Sequence, residues 1–216
     1  MKVVLSSAFF VCGVFYGTYA KGTITPRAGP HSSTSTTTVP PEEDPSKYKE
    51  QNASRVVEMN ATQWVKFRTY NVTDVLESDP LQCENFKVMQ KITTSNYTLQ
   101  YNYRSGNNWR SITETLILKD FDQRGFPNDM YFARTPVGMA TDNLVLYSNY
   151  MNCTVLRIPM PNQGDRHCDL WMANSTVSGD TPDLCMRKFL EYCNTTHIFT
   201  VYFPDCTDNN RSVYLK

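Results

Sequence analysis

The feature that most constrains this chain is the crowding of cysteines between Asn152 and Cys206. Of seven cysteines, Cys12 lies in an amino-terminal apolar run and Cys83 stands apart; the other five are Cys153, Cys168, Cys185, Cys193 and Cys206. The periodicity changes twice along this stretch. Cys153 to Ile158 alternates and is rich in β-branched residues, so it reads as a strand with Thr154, Leu156 and Ile158 on one face. After a turn rich in Pro, Asn and Gly, Cys168 to Met172 reads as the next strand. Asp169 and Trp171 share one of its faces; Cys168, Leu170 and Met172 share the other. Pro182 then suits a first helical turn, and Asp183 to Cys193 has helical spacing.

Cys185, Phe189 and Cys193 recur every fourth residue and line one stripe of that helix. Such a stripe needs a wall to be pinned to, and Cys153 and Cys168 supply one. With the helix stapled outside those strands, Thr154, Asp169 and Trp171 point into whatever the sheet encloses. Six cysteines remain once Cys12 is set aside, an even number that reads as three disulfides in an oxidising compartment. Six cysteines allow fifteen connectivities. The stripe favours joining the helix to the two strands, which leaves Cys83 with Cys206. Either arrangement of the helix pairs satisfies the stripe; Cys153–Cys185 with Cys168–Cys193 is the one expected. A zinc site from His167, Cys168, Cys185 and Cys193 lacks the close paired spacing of such sites, so no metal and no cofactor are expected.

Residues 1–20 combine Lys2, a short apolar run and the exit Thr18-Tyr19-Ala20, the pattern of a secretory signal peptide. The run is shorter than the roughly 20 residues a membrane span needs. Lysines and arginines balance acids at 21 each, so removing Lys2 leaves a charge near −1 and argues for neither nucleic acid nor a membrane surface. Residues 21–50 open with a Pro, Ser, Thr and Gly-rich run that includes Ser32 to Thr38, and read as a disordered leader. Residues 51–216 then form one domain. Eight Asn-X-Ser/Thr sequons, at Asn52, Asn60, Asn71, Asn96, Asn152, Asn174, Asn194 and Asn210, predict a glycosylated surface on a secreted protein.

From Trp64 onward short strands recur with hairpin-length turns: 64–70, 83–89, 96–103, 112–119, 130–134 and 144–150, then the two cysteine strands and a final strand over 197–203. This spacing predicts an all-β barrel or sandwich. A glycan on Asn96 must face solvent, which turns Tyr97, Leu99, Tyr101 and Tyr103 inward. The inward set then gathers Glu84, Tyr97, Tyr101, Tyr103, Glu114, Asp169 and Trp171. Acids are almost never fully buried unpaired, so this composition describes a lined cavity rather than a plain sandwich core. A slip of one residue would invert every face; Asn96 and the two cysteine strands anchor the register against it.

The cysteine-rich block resembles the tick salivary lipocalins, the histamine-binding protein family. The residues that carry the likeness are Cys153-Thr154-Val155, then Cys168-Asp169-Leu170-Trp171, then Cys185, and the similarity runs from about Trp64 to Cys206. Two positions depart from the family pattern: Thr154 stands where an Asp is usual, and Asp169 where a Glu is usual. The resemblance implies a lipocalin-like eight-stranded antiparallel barrel with one external carboxy-terminal helix, and it matches the Cys83–Cys206 pairing. It also implies a small-molecule host mediator as partner, either a biogenic amine such as histamine or serotonin, or a lipid such as a leukotriene. A host plasma protein of complement or clotting is the alternative partner, and a monomer is expected.

An ammonium entering a dry cavity loses its water, so the wall must supply a carboxylate and aromatic faces. Asp169 and Trp171 are the leading candidates, with Glu84 and Glu114 as further acids, Tyr97, Tyr101 and Tyr103 as rings and hydroxyls, and Thr154 at the departed position. No nucleophile elbow, phosphate loop, paired His or dinucleotide motif is present, so a binding protein rather than an enzyme is expected.

Overall fold

The computed structural model describes residues 39–74, 79–134, 139–160 and 166–207. The stretches read as signal peptide and as leader up to residue 38, and the sequon at Asn210, lie outside these residues. Eight strands close into an antiparallel barrel: β1 (Gln63–Arg68), β2 (Leu81–Lys91), β3 (Asn96–Ser105), β4 (Asn108–Lys119), β5 (Asp129–Tyr131), β6 (Leu144–Ser148), β7 (Cys153–Arg157) and β8 (Cys168–Ala173). Neighbours in sequence pair in order from β2 to β8; β8 then pairs with β1, and β1 with β2, which closes the ring. The β3–β4 hairpin turns through Gly106 at φ +54°, where an added Cβ would lie 2.5 Å from the Asp79 carboxylate. Along β3, Tyr97, Leu99, Tyr101 and Tyr103 are buried and the residues between them are not, the alternation the Asn96 sequon anchors.

Two apolar layers follow from this alternation. One fills the barrel, with Val65, Phe86, Tyr101, Leu116, Phe132 and Trp171 among its members. The other lies outside the wall, where Trp64, Leu146, Val155, Leu170 and Met172 meet the helix α2 (Asp183–Tyr192) through Phe189 and Tyr192. Three disulfides fix this outer layer: Cys153–Cys185, Cys168–Cys193 and Cys83–Cys206. The first two staple α2 to β7 and β8, and the third ties β2 to the carboxy-terminal segment. No helix among the described residues is long and apolar enough to cross a membrane.

The leader does not extend to residue 50. Pro41–Glu43 and Pro45–Glu50 form 3-10 turns, followed by a short helix α1 (Ala53–Val57) capped by the Asn52 side chain. α1 buries Ala53, Val56 and Val57 in the barrel core, whereas polar contacts hold the strap Pro41–Glu50 before it. Arg157 Nε and Nη2 donate to the two Glu42 oxygens at 3.0 and 3.2 Å. Buried Gln51 donates from Nε2 to the Pro41 and Leu146 carbonyls at 2.8 and 3.1 Å.

The final strand is also shorter than its sequence pattern, with β9 reduced to Phe199–Thr200. The reason lies at the closing seam. β1 and β2 pair only at Gln63–Phe86 and Trp64–Asn85, then part. The carboxy-terminal segment wedges between them: Phe67 and Arg68 pair with β9, and Cys83 N donates to the Val201 carbonyl at 2.8 Å.

Candidate functional site

Two local irregularities decide what faces the interior. In β1 the pairing with β8 shifts between Val65, opposite Trp171, and Phe67, opposite Leu170. The extra residue, Lys66, reverses the phase of the strand, so Phe67 packs on the outer layer and Arg68 turns inward opposite Asp169. In β2 a similar shift spans Cys83 and Glu84, with Cys83 at φ +54°. The Cys83 sulfur is thereby directed out to Cys206 while Glu84 stays buried. Arg68 and Glu84 form a salt bridge inside the barrel, their side chains 2% and 1% exposed, across the seam where β1 and β2 part.

The second buried pair joins Asp169 to Arg134. Beyond β5 the alternation continues from Met130 through Phe132, which is bridged to Thr141, to Arg134. Arg134 Nη2 donates to Asp169 Oδ2 at 2.6 Å, Nη1 donates to Tyr70 Oη at 2.7 Å, and Nε donates to Asn143 Oδ1 at 3.2 Å. Trp171 Nε1 donates to the same Asp169 oxygen at 3.3 Å. The guanidinium lies 5.6 Å from the Phe86 ring centroid, 5.8 Å from Phe132 and 6.0 Å from Trp171. These rings belong to a column: Trp171 stacks on Phe86 at 4.4 Å, Phe86 on Tyr101 at 4.7 Å, and Tyr101 on Tyr103 at 5.2 Å. A cation over aromatic faces with a carboxylate beneath is a cation-binding arrangement, and here Arg134 itself fills it.

Burial works against the charge of Arg134, yet Asp169 beside it, with Tyr70 and Glu84, holds it more firmly protonated than a free guanidinium. Arg68 is likewise held protonated against burial, chiefly by Glu84. Burial pushes the Tyr101 and Tyr70 hydroxyls well above the ordinary phenol range. Three buried polar atoms in this cluster, Asp169 Oδ1, Arg68 Nε and Tyr101 Oη, have no hydrogen-bond partner among the described residues. Beside the rings, among the described residues, lies a space of about 20 Å³ lined by apolar side chains including Val57, Leu99, Leu116 and Met130, which does not reach the charged groups. That admits no more than a water or so, and a larger guest requires a side chain to move.

The structure therefore brings together Asp169, Trp171, Glu84, Tyr101 and Tyr103 of the residues singled out above. Tyr97 and Glu114 stand apart, and Thr154 borders the cluster without touching its charges. Tyr97 lies toward the β2–β3 hairpin, where its hydroxyl donates to the Thr94 carbonyl at 3.4 Å. Glu114 is half-buried opposite Leu99, and burial raises its carboxyl above the ordinary range without a buried cation beside it. Thr154 is fully buried opposite Trp171, its hydroxyl 3.0 Å from that of Ser148. The two cations, Arg134 and Arg68, escaped the sequence reading, as did Tyr70, Phe86 and Phe132 beside them. Alternation from Met130 would have found Arg134; nothing in the sequence signals the bulge that turns Arg68 inward. None of the seven described sequon asparagines (Asn52, Asn60, Asn71, Asn96, Asn152, Asn174 and Asn194) is buried. A separate recess of about 870 Å³ lies between the amino-terminal strap and the β5–β6 and β7–β8 connections. Pro41, Tyr131, Asp142 and Arg157 line it, and it shares no residue with the charge cluster.

A closed eight-stranded antiparallel barrel with an external carboxy-terminal helix defines a lipocalin-type protein. Among solved structures it is similar to the serotonin complex of AM182, with a TM-score of 0.56 and 18% identity over 72% of this chain and 92% of that one. It is also similar to insecticyanin from the tobacco hornworm Manduca sexta, with a TM-score of 0.50 and 12% identity over 71% and 84% of the two chains. No curated protein matches at the level of sequence. The family model for the tick histamine binding protein matches residues 41–208, and the chain belongs to that family. The match begins at the strap, well before the Trp64 limit of the resemblance seen in the sequence.

Proposed function

We propose that this chain is a secreted, non-enzymatic carrier that captures a small biogenic amine of the histamine or serotonin kind inside its barrel. Sequestering such a mediator at a bite site would suppress host inflammatory defence. The observation that carries the reading is the box formed by Asp169, Phe86, Phe132 and Trp171, which already holds a cation. A primary ammonium on an aromatic ring makes the same demands as that guanidinium: a carboxylate, ring faces and exclusion of water. The unpartnered Asp169 Oδ1 offers a further acceptor, and Tyr101 Oη a hydroxyl for the far end of the guest. Membership of a histamine-binding family and likeness to a serotonin complex support the same class.

The test is calorimetric titration of histamine and serotonin into the parent protein and Asp169→Asn. Loss of the charged partner should weaken binding by about 2 kcal/mol or more. Equal affinity of the two proteins for both amines would refute the assignment of the site. A lipid mediator is the second reading, favoured by the apolar lining of the internal space and by two arginines able to hold a carboxylate. It predicts the opposite outcome, with Asp169→Asn neutral or improved toward a fatty acid.

A further inference from the structure

We infer that Arg134 is a tethered competitor for the amine site, the residue that decides how readily and how tightly a cationic guest is held. The inference rests on the amine reading and extends it to a residue that neither the fold nor the family assigns. Asp169 is fully buried, whereas Arg134 keeps 15% of its side chain exposed. It therefore spans from the interior to solvent, entering from the connection between β5 and β6. Its guanidinium fills the box: the carboxylate at 2.6 Å, Tyr70 at 2.7 Å and three ring faces within about 6 Å. The free space beside the rings does not reach Asp169, whose carboxylate is fully buried behind the guanidinium, so a guest ammonium meets it only where Arg134 now lies.

The groups facing Arg134 show why exchange is feasible. Arg68 on β1 is committed to Glu84 on β2, so among the described residues Asp169 on β8 is the one carboxylate that Arg134 contacts. Tyr70 and Asn143 are neutral partners that hold the guanidinium without adding charge. When a guest takes Asp169, Arg134 loses one ionic contact and swings to solvent, where its charge is hydrated. The total buried charge is unchanged: one cation replaces another. Binding is therefore reduced by the fraction of molecules in which Arg134 is withdrawn. It also favours guests whose ammonium is desolvated at least as readily as a guanidinium, and disfavours neutral analogues.

The experiment is titration of histamine into the parent, Arg134→Met and the double variant Arg134→Met/Asp169→Asn. Methionine keeps the apolar packing against the rings and removes the charge. With a withdrawn population of about 1–10%, Arg134→Met should bind roughly 10- to 100-fold more tightly, and the double variant should lose the whole gain. Binding by Arg134→Met equal to or weaker than the parent overturns the inference while leaving the amine reading in place. If neither the parent nor folded Arg134→Met binds histamine or serotonin, the amine reading fails and takes this inference with it. Should Arg134→Met be recovered unfolded, refolding with millimolar histamine, against sodium chloride at equal ionic strength, should restore the folded signal. No improvement over the salt control also overturns it.

Discussion

Replacing Glu84 by Gln should be among the most damaging isosteric changes in the chain, and the structure sets its size. Arg68 is 2% exposed and Glu84 is its counter-charge across the seam where β1 and β2 part. Removing one member of a buried ion pair costs about 3–5 kcal/mol, because the other charge stays buried and uncompensated. The introduced glutamine carbonyl would still accept one hydrogen bond, which places the loss near the lower bound, about 3 kcal/mol. Among the described residues the other carboxylate acting on Arg68 is Asp169, and it is already held by Arg134. Against a total of about 5–15 kcal/mol for a typical domain, the effect is large. Arg68→Met alone should cost less, because an isolated Glu84 can take up a proton. The double variant Arg68→Met/Glu84→Gln should return to within about 1 kcal/mol of the parent, since no buried charge is left. Urea unfolding of all four proteins completes the cycle, with unchanged m-values showing that stability alone has moved. A Glu84→Gln protein within about 1 kcal/mol of the parent, or a double variant as unstable as the single one, would refute the reasoning.

Trp171→Leu should weaken amine binding by about 0.5–2 kcal/mol through loss of a ring face, measured by the same titration; unchanged affinity would remove Trp171 from the site. Asp129 is fully buried beside Asp142, and burial first, then that neighbour, pushes its carboxyl up to about 7. The folded state thus binds this proton more tightly than the unfolded chain. The stability it contributes is complete below the unfolded carboxylate range near about 4, and is lost as pH rises through about 7. Asp129→Asn should flatten that decline in melting temperature between about pH 5 and about pH 8; an unchanged slope would assign it to another group. Replacing Cys83 and Cys206 by Ala should cost more than removing either other disulfide, about 4–5 kcal/mol by chain entropy, because the separation is 123 residues against 32 and 25. Denaturant midpoints that rank it last would contradict this.

What could be read in advance depended on regular periodicity. The spacing of Cys185, Phe189 and Cys193 places the helix outside the wall, and the Asn96 sequon orients β3, because both signals survive translation into a regular helix or strand. The interior charge pairs were only half legible. Asp169 and Glu84 stand out as inward acids, but their partners do not. Arg68 faces inward only because Lys66 adds one residue to β1, and a bulge leaves no compositional mark. Arg134 follows the alternation of Met130 and Phe132, yet it lies past the end of the regular strand, where side-chain direction is set by the bridge between Phe132 and Thr141. The strap at Pro41–Glu50 reads as disordered because its order comes from Glu42 and Gln51 reaching distant partners rather than from apolar residues. The final strand is truncated by a seam that only the closed barrel creates.

The central claim is that an amine sits on Asp169 beneath the Phe86, Phe132 and Trp171 rings. A crystal structure of the protein with bound histamine tests it most directly. The ammonium should lie within about 3 Å of an Asp169 oxygen, with Arg134 turned out of the box. Histamine lodged in the recess lined by Pro41 and Tyr131, with Arg134 still bonded to Asp169, would contradict it.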